Sequence, residues 1–125
     1  MALARTDLKK LLTATELELF DAGEPKEIAK LTKPQVRGKL ERSRKLRDKY
    51  RDLYRRQRLA IRSEVGSKAG SRGNANDRTR RKEEIFAQTV ARFEARILQI
   101  EAQEDAAFAE ASAGEGAAGG ADRPS

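Results

Sequence analysis

The residues with the most chemistry to offer are basic, and most of them are arginines. Arg37, Lys39, Arg42, Arg44, Lys45, Arg47, Lys49, Arg51, Arg55, Arg56, Arg58 and Arg62 form one run, which Lys68, Arg72, Arg78, Arg80, Arg81 and Lys82 extend. Residues 33–82 hold 19 basic groups against 5 acidic ones, a net charge of +14, whereas residues 1–32 carry −1 and residues 83–125 carry −6. An arginine fork pairs with a phosphate through two parallel N–H donors, where a lysine acts as a point charge. A cation this concentrated attracts polyanions, and the backbone of a nucleic acid is the expected partner. The residues expected to touch it are Arg44, Lys45, Arg47, Arg51, Arg55, Arg56, Arg58, Arg62, Lys68, Arg72, Arg78, Arg80, Arg81 and Lys82. Tyr54, set among these arginines, is available to stack on an unpaired base. Tyr50 keeps step with the apolar positions of the same stretch and is expected to pack instead.

Composition excludes much other chemistry. The 125 residues contain no His, no Cys and no Trp, with 38% charged and 5% aromatic residues. Zinc fingers, disulfide frameworks, thiol switches and Ser-His or Cys-His nucleophiles are therefore excluded. Neither Gly66, Gly70 and Gly73 nor the Glu83-Glu84 pair matches a phosphate loop or a catalytic dyad; the first lack a strand and a Lys-Ser/Thr ending. The chain is expected to be non-enzymatic, with no cofactor, no metal and no small-molecule substrate. No apolar run approaches the roughly 18 residues of a membrane span, so no membrane insertion is expected. The first twelve residues mix Arg5, Asp7, Lys9 and Lys10 with leucines, unlike a secretory segment. A cytoplasmic location is the default expectation.

The elements that must carry the basic run are helices. Leu12-Thr13-Ala14-Thr15-Glu16-Leu17 reads as a capping box with a hydrophobic staple, opening a short helix over about 14–21. Pro25 opens another over about 25–31. The same start signal recurs at Leu31-Thr32-Lys33-Pro34-Gln35-Val36 and opens a long helix over about 33–64. Its inward stripe is Val36, Leu40, Ser43, Leu46, Tyr50, Leu53, Gln57, Ala60 and Ile61, spaced by threes and fours. A second long helix over about 77–111 carries Phe86, Val90, Phe93, Ile97, Ile100, Glu104 and Ala107 in the same rhythm. Residues 66–76, rich in Gly, Ser and Asn, read as a flexible basic joint, with Asn74 or Asn76 capping the next helix. Residues 112–125 read as a disordered Ala/Gly-rich tail.

The predicted fold is thus all-α: one helical domain over 1–111, its short N-terminal helices packed on a long antiparallel helical hairpin, a coiled-coil-like arm. Leu8, Leu11, Leu12, Leu17, Leu19, Phe20, Ile28 and Leu31 would cover the open end of the hairpin, near Val36, Leu40, Ile97 and Ile100. Its tip, residues 55–82, would hold 10 basic and 2 acidic residues.

Two other readings compete. Asp48 and Asp52 lie at helical spacing to neutralise some arginines, and Glu83, Glu84 and Glu94 can pair with others, leaving only a solvated helix face. Alternatively the long helices form a scaffold or inhibitor that docks on a protein partner or homodimerises through its narrow seam. A helix-turn-helix lacks support, because Ala29 and Val36 are too close for its packing pair and the turn has no Gly. The expected nucleic-acid contact is to the backbone and largely sequence-independent, with RNA slightly favoured over DNA because a mobile arginine-rich joint adapts to folded RNA.

Overall fold

The computed structural model describes the backbone of residues 4–63 and 67–122, and the side chains of 4–63 and 73–114. Five helices lie in the described residues: α1 (Arg5–Leu11), α2 (Ala14–Ala22), α3 (Pro25–Ile28), α4 (Lys33–Arg62) and α5 (Ser67–Asp122). Both predicted capping boxes are formed. The Thr13 hydroxyl accepts from the Glu16 amide at 3.2 Å, and Glu16 accepts from the Thr13 amide at 3.0 Å. Thr32 and Gln35 repeat the exchange at 3.3 and 2.8 Å. Each box satisfies amide donors that a helix start leaves without partners.

Helices α4 and α5 form an antiparallel hairpin. Lys33 meets Glu104 at 2.8 Å, Arg44 meets Glu94 at 2.9 Å, and the Tyr50 and Phe86 rings stack with centroids 6.1 Å apart. Further along, Asn76 donates to the Tyr54 carbonyl at 3.1 Å. Val36, Phe86 and Phe93 are fully buried in the seam, with Leu40, Tyr50, Ile85 and Val90 around them. Burying side chains of this size contributes about 1.5–3 kcal/mol each. Buried Ser43 and Thr89 return their hydroxyls to the carbonyls of Lys39 and Ile85, both at 2.8 Å, so small polar residues sit in the seam without unmet donors.

The short helices add Leu8, Leu12 and Leu19 to the same buried cluster, with Leu11, Leu17, Phe20, Ile28 and Leu31 packed around it. Their position differs from the sequence expectation. They lie along one flank of the hairpin rather than only over its open end. The end of α2 and α3 lie beside Arg92, Arg96 and Gln99, whereas α1 lies beside Arg78 and Arg81. Gly23 sits at this contact: a Cβ there would stand at ordinary contact distance, 3.7 Å, from the Phe93 ring, and a tighter 3.3 Å from the Phe20 carbonyl of α2 itself. The other anchor is Glu16, whose partners come from the middle of both long helices.

Two further departures concern α1 and the joint. Helix α1 was not expected. It has no side-chain cap, and its signal is only Leu8, Leu11 and Leu12 at three- and four-residue spacing. The predicted joint over 66–76 is helical from Ser67 onward, while Gly66 lies outside the described residues. Packing outweighs composition here, because Asn76 is buried against α4 rather than capping a helix. At the other end the bounds of α5 run to Asp122. Residues 102–114 are exposed along this extension, which runs past Lys33 at the start of α4.

Candidate nucleic-acid interface

One turn of helix per 3.6 residues sorts the basic residues of α4 into two stripes. Arg37, Arg44, Arg51, Arg55, Arg58 and Arg62 are separated by seven, seven, four, three and four positions and are all exposed. Each follows by one position a residue turned toward the hairpin: Val36, Ser43 and Tyr50 are buried, and Tyr54, Gln57 and Ile61 are half-buried. The seam that forms the hairpin therefore also aligns these arginines, about 100° round the helix from the core. Arg42, Lys45, Lys49 and Arg56 form a second exposed stripe on the far flank.

An acidic ridge of Glu41, Asp48 and Asp52 separates the two. Asp48 holds Arg51 at 2.8 Å and Arg47 at 3.2 Å, and Asp52 holds Arg56 at 3.1 Å. The Arg51 and Arg56 pairs are exposed, each contributing roughly 0–1 kcal/mol and readily exchanged for a phosphate, whereas the expected contact residue Arg47 is half-buried. Arg44 is bridged to Glu94 on α5 at 2.9 Å, so the expectation that some arginines pair with the chain's own acids holds for part of the run.

The two stripes face different surroundings. A cleft of about 310 Å³ between α2 and α4 is lined by Thr15, Glu18, Leu19, Lys39, Arg42, Lys45 and Leu46, so the short helices occupy the second stripe's side. The arginine-only stripe lies on the opposite, uncovered face of the hairpin, the face of the Arg44–Glu94 bridge. Exposed Arg80 is held by Glu84 at 3.0 Å. Arg78 and Arg81 turn toward α1, where they line a cleft of about 290 Å³ with Asp7, Lys10 and Leu11, and Arg78 donates to the Lys10 carbonyl at 3.4 Å. The side chains of Lys68 and Arg72 lie outside those described.

Lys82 does not belong to the exposed set. Its side chain is 18% exposed, 3.3 Å from Glu16 and 3.5 Å from the Tyr50 hydroxyl, with the ammonium 4.9 Å from the Tyr50 ring centre. The Tyr50 hydroxyl donates to Glu16. Glu16 thus closes the α2 capping box and ties α2 to both long helices. Burial pushes its carboxyl up, but the Tyr50 hydroxyl, the Thr13 amide and the Lys82 ammonium together bring it below the ordinary glutamate value. Burial and the Glu16 carboxylate push the Tyr50 phenol above its ordinary value. Lys82, expected to touch the nucleic acid, is thus engaged by Glu16, and sequence alone holds no signal for a partner 66 positions away.

Tyr54, expected to stack on a base, is half-buried with the Arg58 guanidinium 5.7 Å from its ring centre. Arg37 is the stripe member that the expected contact set omitted; its register with Arg44 and Arg51, at steps of seven, is the signal that finds it. Among the described residues no group of three or more carboxylates is placed to hold a metal, and no helix is long and apolar enough to cross a membrane. Comparison with protein-family models, with curated proteins and with solved structures finds no match to this chain.

Proposed function

We propose that the chain is a non-enzymatic nucleic-acid-binding protein that grips phosphate backbone with the arginine stripe on the uncovered face of α4. One observation carries this reading: six exposed arginines stand in a single file on the hairpin face that the short helices leave open, with half-buried Lys33, paired to Glu104, at its start. Solvation alone does not call for arginine, whereas bidentate phosphate pairing does. The strongest part is the run Arg51, Arg55, Arg58 and Arg62, because the stripe nearer the open end faces acids of α5 such as Glu94. The helical course of 67–76 removes the adaptable joint that favoured RNA, so backbone recognition is proposed for either nucleic acid. Among the described residues the one group of adjoining acid, base and phenol, Glu16, Lys82 and Tyr50, is closed on itself, with Glu16 and Tyr50 buried and Lys82 half-buried, which supports a binding rather than a catalytic role.

Fluorescence anisotropy across a salt series tests the proposal. The logarithm of the association constant should fall linearly with the logarithm of salt, with a slope of about 3–5 for four or five engaged phosphates. No binding at low salt would overturn it. A second reading has its own observation: Leu98 and Phe108, 67% and 74% exposed on α5, are large apolar side chains offered to solvent. A protein partner or homodimer docked there predicts a mass that rises with concentration in sedimentation equilibrium.

A further inference from the structure

We infer that the nucleic acid taken by the open face is double-stranded and is held by its phosphates alone. The inference rests on the phosphate-binding reading above and adds the form of the ligand. Single-strand binders combine a cationic groove with aromatic rings on which successive bases stack. The aromatic residues of this chain are four Phe and two Tyr, and each has a defined place. Tyr50, Phe86 and Phe93 are buried. Phe20 lies under the Arg92 guanidinium at 5.7 Å, on the covered side, and Tyr54 is half-buried with Arg58 at 5.7 Å. Phe108 alone is freely exposed, and it stands between Asp105 and Glu110 on the acidic extension of α5, where a phosphate chain is repelled. The arginine stripe therefore has no free ring beside it.

Shape points the same way. Arg37 and Arg62 are 25 positions apart on one uninterrupted helix, about 37 Å at 1.5 Å per residue. The full stripe is close to one turn of duplex, about 34–36 Å, and its strongest part, Arg51 to Arg62, spans about 17 Å, roughly half a turn. The rod is braced by α5, so it presents a straight ridge of cations rather than a channel that a flexible strand could line. A duplex is stiff over about 150 base pairs and suits such a ridge. Two helices packed side by side, each about 10–12 Å across, make a face wider than the roughly 12 Å major groove. The hairpin therefore lies across the backbones with base edges out of reach, which predicts little dependence on sequence.

The test uses the full chain and anisotropy with four labelled probes of about two helical turns: a DNA duplex, an RNA duplex, and a non-pairing single strand of each. Both duplexes carry the shared phosphate chemistry, and the tighter of the two identifies the backbone geometry preferred. The expected result is a duplex bound at least about tenfold more tightly than either single strand, with affinity falling roughly 100-fold between about 50 and 200 mM salt for four arginine contacts. Tyr54→Leu should leave duplex affinity within about twofold, with helicity checked by circular dichroism. A single strand bound as tightly as the duplex, or a tenfold loss in a folded Tyr54→Leu variant, would overturn the inference while leaving phosphate binding intact. Failure to bind any of the four probes would overturn both.

Discussion

Lys82 and Arg55 come from the same basic run, yet the fold uses them in opposite ways. On the flank covered by α1, α2 and α3, cations are drawn inward: Lys82 reaches Glu16 at 3.3 Å, Arg92 reaches Glu24 at 3.5 Å, and Arg78 donates to the Lys10 carbonyl. On the uncovered face Arg55 stands exposed, without a carboxylate partner among the described residues. Charge counted along a chain is therefore not charge offered to a ligand. The short helices act as the sorting device, since they bring Glu16 and Glu24 to one flank only. What they leave uncovered is a face whose charge comes from arginines held by the hairpin seam.

The comparison breaks most sharply at Glu16. Glu16→Ala removes the partner of a buried phenol and a half-buried ammonium and opens the α2 capping box, and is expected to cost about 3 kcal/mol in chemical denaturation. Its effect on the salt slope of binding should be negligible, because the open face is untouched. Asn76→Ala comes next, at about 1–2 kcal/mol, since the Tyr54 carbonyl loses its buried donor. Hydrogen exchange should then rise in residues 73–79 more than in residues 86–93.

Tyr50→Phe sharpens the account through pH. A phenol whose pKa is raised in the folded state contributes stability that is full below its unfolded value, about 10, and is lost as pH rises above it. The wild-type chain should therefore lose stability above about pH 10 faster than the Tyr50→Phe variant, in urea melts run in parallel. Glu16 works in the other direction. Its lowered pKa means a contribution present above about pH 4.5 and lost as pH falls further. The smallest effect belongs to Gly38, where an added Cβ meets nothing within 4 Å. Gly38→Ala should stabilise α4 by roughly 0.5–1 kcal/mol without altering binding.

Local signals were legible in the sequence and non-local ones were not. Thr13-x-x-Glu16 and Thr32-x-x-Gln35 marked two helix starts because a capping box is complete within four residues. The threefold and fourfold spacing from Val36 to Tyr50 located α4 and its seam to within two residues at its C-terminal end. Residues 67–76 misled because Gly, Ser and Asn favour turns, while the surface offered by Tyr54 and Gln57 of α4 lies about twenty positions away in the chain. Helix α1 has no capping side chain to announce it. Glu16 was visible as a cap, but its bonds to Tyr50 and Lys82 span 34 and 66 positions and follow from tertiary packing alone. Most of the expected basic site stays exposed on the fold, but its division into two stripes and the withdrawal of Lys82 needed the hairpin's geometry.

The most direct test sets two triple variants side by side in salt titrations with a duplex probe. Arg51, Arg55 and Arg58 changed to Ala remove three members of the open-face stripe, while Arg42, Lys45 and Lys49 changed to Ala remove as much charge from the second exposed stripe, on the α2 side. The account predicts that the first triple lowers the salt slope by about 2.7 and weakens binding more than tenfold, and that the second changes the slope by less than about one. Equal losses in the two triples would contradict it, because binding would then follow net charge and not the uncovered arginine face.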